Sequence, residues 1–296
     1  RQGRYLVLMK IVLEFNRSKA VISSLGAEIK ELCLCGCPNI IWSGSPQTWS
    51  RSAPTVFPVL GGWSEDLYTV DERIFRMQKN GFARTAEFFA DQHSPNTVQL
   101  MLKSTPETLK VYPFHFCFEV WYTLTNELEI RYRILNTGSE PMPFVVGGHP
   151  GFRWNRREGW KLRFLHSKHL TMYRPDGQEA FCLHNASELE LFESLFSEGA
   201  LCCRNFESPW VAIVPPEGKR CIQMTLHQMN AITLWTMTDD KARFLCVEPS
   251  TGVGAYGGDL RQRYGIHELM PGETMSAGFD IRMISVDDLP KITETR

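Results

Sequence analysis

Two short motifs, widely separated in the chain, each place one titratable side chain at the end of an apolar, strand-like run. Residues 147–152 (GGHPGF) contain His149, and residues 247–252 (VEPSTG) contain Glu248. Unperturbed pKa values of about 6.5 for histidine and about 4.3 for glutamate allow such a pair to hold complementary protonation states near neutral pH. The two residues therefore make a candidate general acid/base pair. No other complete catalytic set stands out in the sequence.

Each member of this pair also has a purely structural interpretation. His149 could be a buried histidine bonded to the backbone in a tight turn. The two glycines before it and the proline after it, however, favour a constrained turn that aims the side chain. Glu248 could form a salt bridge at a strand end, with Arg243 or Arg84. Its place between an apolar run and a proline is unusual for a surface charge.

Metal-binding patterns are incomplete in this chain. Cys33, Cys35 and Cys37 alternate, but no second cysteine pair or nearby histidine completes a site, so one face of a strand is the simpler interpretation. His166 and His169 are three residues apart and would point to opposite sides of a strand, which argues against a shared metal ion. We expect neither a metal ion nor a cofactor.

Composition excludes several classes of partner. The chain has 296 residues, of which 43% are hydrophobic, and a formal net charge of −1. Its lysines and arginines are scattered, which argues against nucleic acid as a partner. No uninterrupted apolar run is long enough to span a bilayer, so no membrane partner is expected. Nine cysteines, an odd number, favour a reducing compartment, and we expect a cytoplasmic location.

Hydrophobic periodicity predicts a chain built from antiparallel strands. Residues 128–134 alternate apolar and charged side chains, as a half-buried strand does. The turn Met270-Pro271-Gly272-Glu273 is expected to join strands 266–269 and 275–283 as a hairpin. Helix signals are few and short, at Ser45-Pro46 and over residues 189–196. The predicted fold class is all-β, with two antiparallel sheets packed face to face.

The absence of a linker or repeat predicts a single domain over residues 9–288. Residues 1–8 precede Met9, which we expect to be the natural start, so they are predicted to be an extension. Residues 289–296 are predicted to form a polar tail.

Five motifs, in order, resemble one known family. They are residues 53–61 (APTVFPVLG), 80–84 (NGFAR), 147–152, 234–236 (LWT) and 247–252. Together they resemble the aldose 1-epimerase (galactose mutarotase-like) superfamily, in particular its LacX-like bacterial branch, over nearly the whole chain. The resemblance implies a β supersandwich with the sugar site in an open cleft on one sheet. It also implies that His149 and Glu248 are the catalytic residues.

Two positions depart from the family pattern, and both concern substrate contacts. The family usually has a sugar-contacting histidine where this chain has Asn80, and many relatives have arginine where this chain has Gly62. The predicted substrate-binding residues are Asn80, Arg84, Trp235, Phe152 and Trp63. Asn80 could instead serve only a turn, Arg84 could pair with Asp66 or Glu87, and the aromatic residues could belong to the core.

The resemblance implies an enzyme that interconverts the α and β anomers of an aldose by opening and closing its ring. The expected partner is a monosaccharide, and the expected assembly is a monomer or homodimer. We expect His149 and Glu248 to face one cleft, separated by about one sugar ring. One alternative is a hexose-6-phosphate 1-epimerase, which needs two cations in the cleft, whereas the motifs place only Arg84 there. Neutral sugars are therefore the expected substrates. The other alternative is a non-catalytic carbohydrate-binding module on the same fold.

Overall fold

Antiparallel strands make up most of the regular structure in the computed structural model, which describes residues 9–155, 158–239, 241–253 and 258–290. Residues 1–8, predicted to be an extension, and residues 291–296 of the predicted tail lie outside the described residues. The strands in the described part of the chain are β1 (Lys10–Phe15), β2 (Ser18–Ser23), β3 (Glu28–Cys33), β4 (Thr55–Val56), β5 (Leu67–Val70), β6 (Arg73–Arg76), β7 (Phe89–Ser94), β8 (Thr97–Lys103), β9 (Phe116–Leu124), β10 (Glu127–Asn136), β11 (Met142–Phe144), β12 (Gly147–Gly148), β13 (Gly151–Arg153), β14 (Trp160–Tyr173), β15 (Glu179–Leu191), β16 (Leu201–Cys203), β17 (Trp210–Val214), β18 (Arg220–His227), β19 (Ala231–Trp235), β20 (Phe244–Ser250), β21 (His267–Leu269) and β22 (Thr274–Ser285).

One sheet of 15 strands dominates the molecule. Its continuous hydrogen-bonded path runs in the order β4-β12-β20-β19-β16-β14-β17-β18-β22-β10-β9-β8-β7, with β13 also paired to β20 and β15 paired to β14. Smaller sheets are formed by β1–β2–β3, by β5 with β6, and by β11 with β21. The all-β, antiparallel fold class predicted from the sequence is confirmed.

Helical structure is short, as predicted. The helix α1 (Pro106–Val111) begins at the N-cap Thr105, whose side chain accepts a hydrogen bond from the Thr108 amide while the Thr108 hydroxyl accepts one from the Thr105 amide. The remaining helical segments described are 3-10 turns: Ser64–Asp66, Ala83–Thr85, Glu193–Phe196, Leu260–Gln262 and Val286–Asp288. The helix expected to start at Ser45 is only a turn, and α1 was not predicted.

The alternation over residues 128–134 places one face of β10 in the core. Leu128, Ile130, Tyr132 and Ile134 are each at most 1% exposed, and the strand pairs with β9 and β22. The predicted hairpin of residues 266–283 is wrong. The turn at residues 270–273 forms, with the Glu273 amide bonded to the Met270 carbonyl, but β21 pairs with β11 and β22 pairs with β10 and β18.

Two further observations concern the limits of the domain. Leu289, assigned to the polar tail, is buried in a cluster with Trp210 and Cys221, so the packed structure extends past residue 288. No helix among the described residues is both long and apolar enough to cross a membrane.

Candidate active site

The strand register brings His149 and Glu248 together. Gly147 on β12 lies opposite Ser250 on β20, and Gly151 on β13 lies opposite Cys246. The residue midway between the two glycines is His149, and the residue midway between Cys246 and Ser250 is Glu248. The two side chains are therefore neighbours across an antiparallel pair, and such neighbours are close enough to interact.

The glycines before His149 allow this close approach. A Cβ atom on Gly147 would lie 2.6 Å from the Pro249 carbonyl oxygen, and one on Gly148 would lie 2.6 Å from the Phe279 ring. Any side chain at these positions would therefore push β12 away from β20 or from the core. The His149 backbone amide donates to the Pro54 carbonyl at 3.0 Å, and this bond fixes the backbone at His149.

His149 and Glu248 are in direct contact. His149 Nε2 lies 3.2 Å from Glu248 Oε1, and the two residues are 7% and 2% exposed. His149 Nδ1 is buried and has no hydrogen-bond partner in any other described residue. Both residues line one cavity, as expected. The expected separation of about one sugar ring is wrong, because the two residues are direct cross-strand neighbours.

The cavity has a volume of about 220 Å³, and five of the seven predicted site residues line it: His149, Glu248, Asn80, Arg84 and Trp235. The two other predicted residues do not. Phe152 is 1% exposed in the main core, because β13 turns its side chain away from the cavity. Trp63 is 5% exposed and is held between the Tyr68 ring, at 4.8 Å, and the Arg263 guanidinium, at 3.9 Å.

Asn80 has a structural bond in addition to its place in the cavity wall. The side-chain oxygen Oδ1 accepts a hydrogen bond from the Gly61 backbone amide at 2.7 Å. The Asn80 backbone amide donates to the Gly61 carbonyl, also at 2.7 Å. Asn80 and Gly81 both adopt left-handed backbone conformations, with φ of 65° and 71°. The turn role and the cavity position proposed for Asn80 therefore coexist, and Oδ1 is already engaged in the ligand-free chain.

Two cations line the cavity, and sequence reasoning found only one of them. Arg84 is half-buried and forms no hydrogen bond or ion pair with any described residue, so the alternative pairing with Asp66 or Glu87 is not formed. Lys79 is exposed and also lines the cavity, again without an ion pair in the described part of the chain. It directly precedes the Asn80 motif, and this adjacency was the only signal for it.

Two indole rings form an apolar wall beside the acid/base pair. Trp49 lies 5.0 Å from the His149 ring, and Trp235 lies 5.7 Å from it in a T-shaped arrangement. The two tryptophans contact each other at 5.6 Å, again edge to face. Trp49 was not among the predicted site residues, because it comes from a loop far from the His149 and Glu248 motifs. Thr233 lies opposite Glu248 on β19 and completes this side of the cavity.

The sequence model of the family described as aldose 1-epimerase matches residues 9–281, nearly the whole chain. This protein belongs to the aldose 1-epimerase family. The LacX-like branch suggested by the motifs is confirmed by a curated relative, the plasmid-encoded Protein LacX of Lactococcus lactis subsp. lactis. The two chains are 25% identical over 300 residues, which cover 94% of this chain and 100% of the relative.

Solved structures give the same family and fold. A galactose mutarotase-like protein from Lactobacillus casei has a TM-score of 0.86 and 26% identity, over 93% of this chain and 100% of that one. A galactose mutarotase related enzyme from Lactobacillus acidophilus has a TM-score of 0.85 and 28% identity, over 96% of this chain and 100% of that one. The fold is therefore the galactose mutarotase-like β supersandwich.

Burial and the two cations set the protonation of the acid/base pair in this epimerase-family site. Burial, together with repulsion of the imidazolium by Arg84 and Lys79, lowers the pKa of His149 from 6.5 to about 3. Burial raises the pKa of Glu248 from 4.5 to about 8, against the opposing effect of Lys79 and Arg84. Near neutral pH the pair therefore holds one proton, which belongs to the pair as a unit.

Cys246 extends this pair to a possible metal-ligand set. One ligand atom from each of His149, Cys246 and Glu248 lies within 4.8 Å of the others. Burial raises the pKa of the Cys246 thiol well above its ordinary value, so the thiol keeps its proton. A metal ion would have to displace this proton, and burial makes the required thiolate costly, so the set is a poor match for a cation.

Proposed function

We propose that this protein catalyses the interconversion of the α and β anomers of an aldose. The observation that carries this proposal is the buried His149–Glu248 pair, which lines a cavity with its polar atoms 3.2 Å apart. One proton shared by two groups supplies one acid and one base at the same time, which is the requirement for opening a cyclic hemiacetal.

The short distance between the two groups suits this reaction. The anomeric hydroxyl oxygen and the ring oxygen are bonded to the same carbon, C1, so both lie within a single tetrahedral centre. Two groups whose polar atoms are 3.2 Å apart can therefore reach both oxygens together.

The proton steps balance without a cofactor. In the ligand-free state Glu248 is the acid and His149 the base. His149 takes the proton of the anomeric hydroxyl, the bond from C1 to the ring oxygen breaks, and Glu248 gives its proton to that oxygen. The product is an open-chain aldehyde, with His149 protonated and Glu248 ionised. After rotation about the C1–C2 bond, the ring closes on the other face of the carbonyl and both transfers reverse.

The remaining cavity residues would hold the sugar. The apolar wall of Trp49 and Trp235 offers ring faces and edges to the C–H groups of a pyranose, and Thr233 offers a hydroxyl. Asn80 Oδ1 already accepts one hydrogen bond, from Gly61, and the Nδ2 amide group can donate to a sugar hydroxyl.

The decisive experiment is a panel of pure anomers followed by polarimetry or NMR. We expect accelerated anomer exchange in the native protein and loss of that acceleration in Glu248→Gln. A protein that binds sugars but leaves their anomer exchange at the uncatalysed rate would be a non-catalytic carbohydrate-binding module instead.

A second candidate is a 1-epimerase for phosphorylated hexoses. It requires more than one cation in the cavity, and Lys79 supplies the second cation that the sequence motifs did not place there. With Glu248 protonated and His149 neutral, the charges of Lys79 and Arg84 are uncompensated within the cavity wall. This charge favours a substrate with an anionic substituent.

A further inference from the structure

Outside the proposed active site, metal-binding side chains also converge on the hairpin of β14 and β15. His169 on β14 lies directly opposite His184 on β15, and Cys182 lies opposite Thr171. Side chains alternate between the faces of a strand, so Cys182 and His184, two residues apart, share one face, and the cross-strand partner His169 shares it as well. The topology thus gathers two imidazoles and one thiol on a single face.

The distances in this cluster are those of a metal site. His169 Nδ1 and His184 Nδ1 are 3.0 Å apart, and their rings are nearly perpendicular, at 87°. One ligand atom from each of the three residues lies within 4.8 Å of the others. Bonds of about 2.0–2.1 Å from zinc to nitrogen at a tetrahedral angle place two nitrogen ligands about 3.3 Å apart. A small outward shift of the two rings would admit an ion.

We propose that His169, Cys182 and His184 bind a divalent transition-metal ion, with zinc as the ion that best fits the set. Imidazole and thiolate ligands select zinc and its transition-metal neighbours over calcium or magnesium, which require oxygen ligands. Binding displaces the thiol proton: Cys182–SH and Zn²⁺ give Cys182–S–Zn⁺ and a free proton. Both histidines are exposed and Cys182 is half-buried, so the ion enters from solvent and its fourth position takes water.

The site differs from the one that the sequence suggested and excluded. The strand pattern argues against an ion shared by His166 and His169, and the partner of His169 in the proposed site comes from across the hairpin, fifteen residues later in the chain. The turn of this hairpin carries Pro175, which lines the proposed active-site cavity. A bound ion would cross-link the two strands that present this turn.

Cobalt(II) binding to the full, untagged chain tests the proposal, because cobalt replaces zinc and reports its ligands. After removal of metals with a chelator, we expect one ion per chain, visible d–d bands of a four-coordinate site and a sulfur-to-cobalt charge-transfer band in the near ultraviolet. Cys182→Ser should remove the charge-transfer band. His169→Gln and His184→Gln should each weaken binding at least tenfold, and zinc should displace the cobalt.

Three matched variants control for other binding. His166→Gln removes an exposed histidine from the same strand, Cys33→Ser removes a half-buried thiol elsewhere, and His149→Gln removes a member of the buried His149–Cys246–Glu248 set. All three should bind cobalt as the native chain does. The proposal is overturned if the band survives Cys182→Ser, if it is lost in His149→Gln, or if native and His184→Gln chains bind equally. In that last case the two histidines form only a hydrogen-bonded pair.

Discussion

His149 and Glu248 face each other across an antiparallel strand pair, with Nε2 of the histidine 3.2 Å from Oε1 of the glutamate. Two consequences follow from this contact. The two groups titrate as one unit, and a substrate must displace their mutual contact in order to be bound by both. The shared titration of the pair can be measured through the pH dependence of activity and of stability.

Glu248→Gln should lower the rate of anomer exchange by about 10²–10⁴-fold while leaving the fold intact. The substitution keeps the shape of the side chain but removes its ability to give and take a proton. Polarimetry with a pure anomer measures the rate, and circular dichroism checks the fold. Glu190→Gln, at an exposed position on β15, is the matched control and should retain full activity. Normal turnover in Glu248→Gln would assign Glu248 a purely structural role.

Activity should fall as pH rises above about 8. The active pair holds one proton, and raising the pH through the Glu248 pKa of about 8 removes it, so no acid remains to protonate the ring oxygen. At lower pH the profile should stay flat through pH 6.5, because burial lowers the pKa of His149 to about 3. The measurement is kcat/KM against pH, which reports the free enzyme. A loss of activity centred at pH 6.5 would show that His149 titrates as an ordinary exposed histidine.

Glu248→Gln should become more stable relative to the native chain as the pH rises. Between pH 4.5 and 8 the unfolded chain releases the Glu248 proton while the folded chain keeps it, so the folded state binds more protons and native stability falls as pH rises. Glutamine does not titrate. Urea unfolding at pH 6.5 and pH 8 should show the variant gaining about 1.4 kcal/mol or more relative to the native chain. A constant difference would mean that the pKa of Glu248 is not raised.

The substitutions Asn80→Ala and Asn80→Gly should separate the two roles of Asn80 in stability. Alanine loses the bond to the Gly61 amide and is strained at a φ of 65°, so a loss of about 2 kcal/mol is expected. Glycine loses the same bond without the strain and should cost about half as much. Urea unfolding measures both. Equal losses would show that the backbone conformation contributes nothing.

Asn80→His introduces the residue expected from the family pattern at this position, and it should change the preference among aldoses. The test is kcat/KM over a panel of aldoses, compared with Asn80→Ala. An unchanged profile would mean that Asn80 serves only the turn.

The sequence was sufficient to predict the all-β fold class and to select His149 and Glu248 as a candidate pair, because both inferences depend on local patterns. Alternation over residues 128–134 predicts β10, and the two motifs supply His149 and Glu248. The contact between them could not be predicted, because it depends on the pairing of β12 and β13 with β20. The hairpin at residues 266–283 failed for the same reason: turn chemistry fixes a reversal of the chain, but tertiary context decides which strands pair.

The composition of the cavity wall was predictable only in part. Phe152 and Trp63 are aromatic residues like Trp235, and only three-dimensional packing places them in the core and Trp235 at the cavity. Lys79 belongs to no motif. Nothing in the sequence around it distinguishes this lysine, beside an Asn-Gly turn, from any other surface lysine. Trp49 comes from a loop and reaches His149 through tertiary packing alone.

We expect the charge of the substrate to affect its turnover. Arg84 alone made neutral hexoses the expected substrates, but Lys79 also lines the cavity, and neither cation has an ion-pair partner among the described residues. We therefore expect hexose 6-phosphates to have a higher kcat/KM than the parent hexoses at low salt. One charge-assisted hydrogen bond of about 1.5 kcal/mol corresponds to roughly a tenfold effect.

Lys79→Gln and Arg84→Gln should each reduce this preference, whereas Lys110→Gln, at an exposed position on α1, should not. Added salt should weaken the preference of the native enzyme, because the exposed Lys79 is screened. Equal or better turnover of neutral hexoses, without salt dependence, would return the substrate to an uncharged aldose.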